Sequence, residues 1–207
     1  MTATAARSEL ILGGQKSGKS RRAELLARDW LARSPTHRAL LIATAEPWDD
    51  EMRARISRHQ QDRAERVPGL ATLEEPRDLA GAIARHSTPH TLLVVDCLTL
   101  WLTNWTMPAG QEAMDFEQKE ALAHNWQAQA ARFFIAIEQA PGPVVLVGNE
   151  IGLGVIPLGR EVRAFVDALG LLNQQAAQAC ERVTLMAAGL PLTLKETGCN
   201  PPPSSAF

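Results

Sequence analysis

Hydrophobic residues in this chain fall into short, nearly continuous runs, and the stretches between these runs carry apolar positions at helical spacing. The runs predict strands at 10–12, 38–44, 71–74, 91–96, 144–148, 182–187 and 191–195. Helices are predicted at 21–27, 50–63, from 76 onward, and at 98–105, 111–139 and 159–180. Strands that are apolar throughout are typical of parallel sheets covered on both faces. The alternation therefore predicts an α/β fold with a mostly parallel sheet, helices on both faces and ligands beyond the carboxyl ends of the strands.

The first strand ends in a glycine-rich loop that leads directly into a helix. Its residues fit the pattern G-x-x-x-x-G-K-[ST], in which backbone N–H groups and a helix N-terminus cradle phosphate oxygens. The predicted phosphate-binding residues are Gly13, Gly14, Gln15, Lys16, Ser17, Gly18, Lys19 and Ser20. Lys19 is expected to reach the β- and γ-phosphates of a nucleoside triphosphate. An ordinary glycine turn is the alternative interpretation. With its flanking strand and helix, the loop predicts a P-loop NTPase-type fold of the RecA-like kind.

A carboxylate, Asp96, follows the apolar run at 91–95. In a P-loop protein this position is typical of the Walker B aspartate, which holds Mg²⁺ directly or through water. An aspartate after a strand can also be a plain helix cap. Because the P-loop precedes it in the chain, we interpret Asp96 and the hydroxyl of Ser20 as the magnesium ligands.

The length, charge and cysteines of the chain limit the number of domains, the kinds of ligand and the location that can be expected. The 207 residues suit one domain at 1–197, followed by a proline- and serine-rich tail at 198–207 that we expect to be disordered. A formal charge of −2 without a long basic run argues against nucleic acid or a membrane surface as the main ligand. No apolar stretch reaches the length of about 18 residues that spans a bilayer, and no signal peptide is recognisable, so a cytoplasmic location is expected. Cys97 and Cys180 are expected in the core, and Cys199 in the tail.

Six segments together resemble one known family, the bifunctional adenosylcobinamide kinase / adenosylcobinamide-phosphate guanylyltransferases of cobalamin biosynthesis. The likeness runs from about Leu10 to Lys195. Its segments are 13–20, 42–45, 49–52 with Arg55, Ile56 and His59, 96–99, 149–157 and 172–174. The resemblance implies that adenosylcobinamide is phosphorylated by ATP or GTP, and that GTP then donates GMP to adenosylcobinamide phosphate. It also implies a homo-oligomer, a trimer.

The resemblance assigns the covalent GMP carrier to His59, and Lys19 of the P-loop is predicted to be the second catalytic residue. Spacing alone favours a core histidine, since Met52, Ile56 and His59 share one helical face. A neutral imidazole is nevertheless a competent nucleophile near neutral pH. The further nucleotide contacts implied by the resemblance are Ala43, Thr44, Ala45, Gln60, Gln61, Asp62, Arg63, Glu74 and Asp96. Gln60 stands where the family commonly has a basic residue.

Two other functions are compatible with the P-loop and Asp96. One is a kinase for another small alcohol, in which His59 is structural and no nucleotidyl transfer occurs. The other is a non-catalytic nucleotide-binding module, which would hold or hydrolyse nucleotide without consuming a cobinamide. A covalent GMP adduct separates the resemblance-based hypothesis from both.

Overall fold

A computed structural model describes residues 6–46, 50–107, 116–155 and 157–197 of the chain. Six helices and seven strands alternate through these residues. In chain order they are β1 (Ser8–Gly13), α1 (Lys19–Leu31), β2 (Arg38–Ala43), α2 (Asp50–Arg66), β3 (Leu70–Glu74), α3 (Leu79–His86), β4 (Thr91–Asp96), α4 (Leu98–Thr106), α5 (Phe116–Gln139), β5 (Val144–Val147), α6 (Arg160–Ala179), β6 (Arg182–Ala187) and β7 (Leu190–Glu196).

The strands form one seven-stranded sheet in the order β3-β2-β4-β5-β1-β6-β7. The neighbouring strands β1 to β6 pair in parallel, and β7 pairs antiparallel to β6 through a tight turn. Strand β5 therefore lies between β1, which leads into the P-loop, and β4, which ends in Asp96. The expected fold class, a RecA-like P-loop α/β fold with a mostly parallel sheet, is confirmed.

Two hydrophobic layers enclose the sheet. On one face Ile11 packs in a cluster with Ala23 and Ala27 of α1. On the other face Leu10 belongs to a larger cluster that includes Trp101 of α4 and residues of α3, α5 and α6. The consecutive residues Leu10 and Ile11 reach opposite layers because side chains alternate along a strand. Helices thus cover both faces of the sheet, and the ends of the strands are the part of it where a ligand site can form.

The predicted core residues are confirmed where the structure describes them. Leu98, Trp101 and Leu102 are buried on one face of α4, and Trp105 is half-buried beside them. Cys97 and Cys180 are buried free thiols. Burial and the nearby charge of Asp96 raise the pKa of Cys97 to about 11, so this thiol stays protonated at neutral pH. Cys199 and the predicted tail lie outside the described residues.

The start of α3 differs from the prediction. Proline is favoured at the first position of a helix, and Pro76 therefore predicted a start there. The helix instead begins at Leu79, because the carboxylate of Asp78 accepts a hydrogen bond of 3.0 Å from the N–H of Gly81. That bond satisfies one of the unpaired N–H groups of the first turn, which makes Asp78 the cap.

The predicted helix at 111–139 is described from Phe116 onward, and the start predicted for it lies outside the described residues. Within the described parts of the chain, none of the helices is both long enough and apolar enough to cross a membrane.

Candidate active site

The backbone of the P-loop requires glycine at two positions. Gly13 has φ +152° and Gly18 has φ +100°, which are conformations that residues with a Cβ rarely adopt. A Cβ on Gly13 would lie 2.5 Å from the carbonyl oxygen of Met186 and 2.6 Å from Oγ of Ser17. The loop can therefore pass this close to β6 only without a side chain at residue 13.

Lys19 turns back across the loop that precedes it. Its ammonium group donates a hydrogen bond of 2.6 Å to the carbonyl oxygen of Gly14, and the residue is only 8% exposed. Burial lowers the pKa of Lys19, while the nearby Cys97 and Asp96 act in the opposite direction. A buried ammonium with so few partners favours binding of an anion, because an anion would offset the cost of desolvation.

One buried polar atom of the P-loop lacks a partner in the part of the chain that the structure describes. Oγ of Ser17 is buried and finds no hydrogen-bond partner among the described residues. The loop around it is held by the backbone, since Ser17 N–H donates to the carbonyl of Gly14 and Gly189 N–H donates to the carbonyl of Ser17. The turn between β6 and β7 thus supports the P-loop from outside.

A cavity of about 470 Å³ opens beside this loop. Its walls are the P-loop residues Gly14 to Ser17, the side chains of Glu150 and Leu153, and the end of β6 with the following turn. The volume lies within the range of about 300–1,000 Å³ that is typical of small-ligand sites. Four of the predicted phosphate-binding residues, Gly14 to Ser17, therefore line a space large enough for a nucleotide's phosphates and part of a second substrate.

Three of the predicted site residues end neighbouring strands at the same edge of the sheet. Ala43 of β2 pairs in register with Glu74 of β3 on one side and with Asp96 of β4 on the other. Neighbouring strands lie about 4.8 Å apart, so these residues form a short row beyond the sheet. The charge of Asp96 also acts on Lys19, which links the row to the P-loop.

Thr44 is fully buried, and its hydrogen bonds are made to other groups of the protein. Its hydroxyl donates to the carbonyl of Cys97 and accepts from the N–H of Cys97, each at 2.8 Å. The carbonyl of Thr44 accepts a hydrogen bond of 2.8 Å from the amide of Asn104, and its N–H donates to the carbonyl of Asp96. Thr44 therefore ties β2 to the start of α4, and its predicted nucleotide contact stays a prediction.

The loop after β5 is held beside the P-loop by three hydrogen bonds. Glu150 N–H donates to the carbonyl of Gly13, and Asn149 N–H donates to the hydroxyl of Thr99. The amide of Asn173 in α6 donates to the carbonyl of Asn149 at 3.0 Å. Residues 99, 149, 150 and 173 all lie in segments that carry the family resemblance, but the spacing of residues along the chain did not reveal these positioning contacts.

The predicted residues of α2 are described in part. His59 and Gln60 belong to this helix by their backbone, and their side chains lie outside the described residues. Gln61 and Asp62 are exposed, and Arg63 is half-buried. The Nε atom of Arg63 is buried and has no hydrogen-bond partner within the described ranges. The structure therefore brings the P-loop, Ala43, Glu74 and Asp96 to one edge, and describes only the helical position of His59.

The residues expected to bind magnesium were Ser20 and Asp96. Ser20 lies in the first turn of α1, and Asp96 is half-buried at the end of β4. Among the residues that the structure describes, no group of three or more His, Cys, Asp or Glu side chains could hold a metal ion by itself. Mg²⁺ commonly uses one or two protein ligands together with substrate phosphates and water, which is compatible with this pair.

Comparison with known proteins gives one family. Residues 9–194 match the model of the family described as cobinamide kinase / cobinamide phosphate guanyltransferase. The chain is 45% identical over 188 residues to the bifunctional adenosylcobalamin biosynthesis protein CobP of Pseudomonas aeruginosa, covering 90% of this chain and 96% of that protein. It is 35% identical over 187 residues to the bifunctional adenosylcobalamin biosynthesis protein CobU of Escherichia coli, covering 90% and 98%. It is also 35% identical over 188 residues to CobU of Salmonella typhimurium, again covering 90% and 98%. By this match over nearly its whole length, the chain belongs to the cobinamide kinase / cobinamide phosphate guanyltransferase family.

Proposed function

We propose that this enzyme phosphorylates adenosylcobinamide with ATP or GTP and then transfers GMP from GTP to adenosylcobinamide phosphate through a guanylylated His59. The product is adenosylcobinamide-GDP, an intermediate of cobalamin biosynthesis. The observation that carries the proposal is the P-loop itself, with Lys19 buried at its mouth and the Ser17 hydroxyl without a partner among the described residues. Family membership supports both activities and argues against a simple kinase or a non-catalytic binding module.

In the kinase step, the γ-phosphoryl group moves from the nucleotide to the hydroxyl of the aminopropanol arm of adenosylcobinamide. The P–O bond to the β-phosphate breaks and the nucleoside diphosphate leaves. A new P–O bond forms to the substrate oxygen, and its hydroxyl proton is released to solvent. Backbone N–H groups of the P-loop and the ammonium of Lys19 would stabilise the charge on the phosphate oxygens. Ser20 and Asp96 would hold Mg²⁺, which supplies further positive charge against the phosphates when it is bound.

In the guanylyltransferase step, a ring nitrogen of His59 attacks the α-phosphorus of GTP. A P–N bond forms, the bond to the β-phosphate oxygen breaks, and pyrophosphate leaves. A phosphate oxygen of adenosylcobinamide phosphate then attacks the same phosphorus. The P–N bond breaks, His59 is restored, and the new P–O–P linkage completes the GDP group.

The finer assignments rest on the family resemblance and stay predictions. They are the nucleotide contacts by Ala43, Thr44, Ala45, Gln60, Gln61, Asp62, Arg63 and Glu74. Glu74 lies beside Ala43 at the edge of the sheet, which supports a shared role for these two residues. The homotrimeric assembly and the cytoplasmic location are proposals of the same kind.

The test is covalent labelling with GTP that is radioactive at the α-phosphate. The parent protein should acquire a label that is acid-labile and alkali-stable, as expected of a phosphoramidate, and His59→Ala should acquire none. His124→Ala provides the matched control, because His124 is an exposed histidine on α5 and lies outside the segments that carry the family resemblance. It should label like the parent.

Two results would contradict the proposal. If His59→Ala were labelled like the parent, another residue would carry GMP. If the parent took no label but still transferred the γ-phosphate to adenosylcobinamide, the protein would act only as a kinase under these conditions. Both results can be read from the same protein preparations.

A further inference from the structure

Glu24 is a buried carboxylate that the two reactions do not use. It lies in α1, one helical turn after Ser20, and is only 3% exposed. Its Oε2 atom lies 3.5 Å from Nε of Arg66 and 3.7 Å from Nη1 of Arg21. Burial raises the pKa of Glu24, and the charges of Arg66, Arg21 and Arg63 lower it. A carboxylate in such a place is costly unless cations accompany it.

Two of these cations belong to α2, the helix that carries His59. Arg63 and Arg66 lie in its last turns, and Oε2 of Glu24 makes no hydrogen bond within the described residues. The contact is therefore an attraction of charges between two helices. Glu24 is almost completely buried and Arg66 is 36% exposed, so water screens this attraction less than it would screen a pair in which both groups are exposed. Arg66 also donates a hydrogen bond of 2.8 Å from Nε to the carbonyl of Asp62, one turn earlier in α2. The attraction to Glu24 holds the end of α2 against the first half of α1.

The direction of the two helices relates this contact to the P-loop. Helix α1 connects β1 to β2, and α2 connects β2 to β3. Both helices therefore run from the carboxyl ends of the parallel strands, where the P-loop lies, toward the amino ends. Glu24 lies about 6 Å beyond Ser20 along α1, at about 1.5 Å per residue. Arg66 lies about 10 Å beyond His59 along α2 by the same rise.

If the two helices run side by side, a contact between Arg66 and Glu24 fixes how far along this direction the backbone of His59 lies relative to Ser20. The distance from Ser20 to Glu24 along α1 and that from His59 to Arg66 along α2 differ by about 5 Å, so the backbones of His59 and Ser20 lie within about 5 Å of each other along the helix direction. Seven residues are nearly two full turns, so positions 59 and 66 share one face of α2, and Arg66 on that face contacts α1. Position 59 therefore lies on the same face of α2 as the residue that contacts α1.

We propose that Glu24 is a positioning residue for guanylyl transfer, which holds α2 by Arg66 so that His59 stands at the level of the bound phosphates. This rests on the proposed function, in which His59 carries GMP. The kinase step draws its phosphate-binding groups from the P-loop, α1 and β4. Loss of the Glu24–Arg66 contact should therefore slow GMP transfer much more than phosphorylation.

The experiment measures both half-reactions on Glu24→Gln, which keeps the shape of the side chain and removes its charge. The rate of labelling from α-labelled GTP should fall at least about tenfold, because a displacement of 1 Å at a reacting group can cost up to about a hundredfold. The rate of γ-phosphate transfer from ATP to adenosylcobinamide should stay within about threefold of the parent. A uniform loss of folded protein would lower both rates by the same factor.

A double-mutant cycle identifies Arg66 as the other half of the contact. Arg66→Gln should reproduce the loss in labelling rate, and the double variant Glu24→Gln with Arg66→Gln should be no slower than either single variant. Arg66→Lys keeps the charge and should retain most of the labelling rate. Arg28→Gln is the matched control in α1, because Arg28 is exposed and pairs with the neighbouring Asp29. It should leave both rates unchanged.

The outcomes separate this inference from the proposed function. If the parent labels at His59 and Glu24→Gln labels at the parent's rate, only the role of Glu24 is overturned. The same follows if both half-reactions of Glu24→Gln fall by one common factor, or if the two single losses multiply in the double variant. If the parent takes no label at all, the role of His59 is overturned, and the positioning role is overturned with it.

Discussion

The cavity beside the P-loop has two walls that are built in opposite ways. On the P-loop side, Gly14 to Ser17 line the cavity, Ser17 and the adjoining Gly13 and Lys19 are buried, and the backbone is held by hydrogen bonds to neighbouring turns. The other wall includes Leu153, which is 82% exposed. Val155 and Leu158, a few residues farther along the chain, are each 97% exposed. One wall is fixed by its own packing, and the other presents apolar side chains to solvent.

The proposed function has two kinds of ligand, and the difference between the walls is compatible with them. Phosphate groups are small, carry the same charge in every nucleotide, and are best held by groups fixed before binding. A corrinoid is large and has extensive apolar surface. Exposed apolar side chains are typical of surfaces that become covered by another molecule. The predictions below test whether stability and chemistry depend on the first wall and not on the second.

The largest effect is expected for Lys19→Met. Loss of the ammonium should lower kcat of the kinase step by about 100- to 1,000-fold, since a fixed charge at the reacting phosphate is removed. The free energy of unfolding at pH 7 should stay the same or rise. The pKa of Lys19 is lowered in the folded protein, so the charged form costs stability in full at every pH below the folded pKa, and this cost is lost as the pH rises from the folded pKa to the ordinary value of 10.5.

Steady-state kinetics and urea unfolding measure the two quantities for Lys19→Met separately. A variant that loses both activity and unfolding free energy at pH 7 would show that Lys19 stabilises the fold, contrary to this prediction.

Gly13→Ala should damage the same wall through the backbone. The added Cβ meets the carbonyl of Met186 at 2.5 Å, and φ of +152° is unfavourable for alanine. We expect the free energy of unfolding to fall by about 2–4 kcal/mol. Gly14→Ala is the matched comparison, because nothing lies within 4 Å of its added Cβ. Its unfolding free energy should stay within about 0.5 kcal/mol of the parent. Equal losses in the two variants would contradict the packing argument.

Thr44→Val should cost about 2–3 kcal/mol of unfolding free energy, because it removes the hydroxyl that pairs both backbone groups of the buried Cys97. Thr44→Ser keeps the hydroxyl and should lose less. Urea unfolding gives the comparison. A variant of normal stability with a raised KM for GTP would show instead that Thr44 acts mainly through the nucleotide.

The smallest effect is expected on the exposed wall. Leu153→Ala should change the free energy of unfolding by less than about 0.5 kcal/mol, since the side chain is already in solvent. Leu41→Ala removes the same atoms from the core and should cost about 2–5 kcal/mol. Unfolding curves of both variants in the same buffer make the comparison. A large loss at Leu153 would mean that its loop is packed in solution.

Local signals in the sequence account for most of the fold. The run of residues 91–95 predicted β4 because an apolar strand buried on both faces leaves a continuous pattern. The P-loop could be predicted because its glycines and Lys19 act within one short segment. The predicted start of α3 was wrong, because proline and aspartate are both residues that favour the start of a helix and the chain has one at 76 and the other at 78. Only the hydrogen bond from Gly81 to Asp78 decides between them.

Contacts between distant segments could not be predicted in this way. Thr44 bonds to Cys97 across 53 residues, and periodicity carries no information about such a pair. The pairing of Glu24 with Arg66 is of the same kind, since each residue alone has the pattern of an ordinary charged helix position. Their partners become visible only when the helices are packed.

The sequence by itself determined the helices and strands, the phosphate-binding loop and the carboxylate at the end of β4, because each depends on residues that are neighbours along the chain. The tertiary structure decided that β5 lies between β1 and β4, and that Ala43, Glu74 and Asp96 end in one row. It also decided that Lys19 is buried, which lowers its pKa. These properties depend on which distant segments exclude water from one another, and that is set only when the whole sheet and its helices assemble.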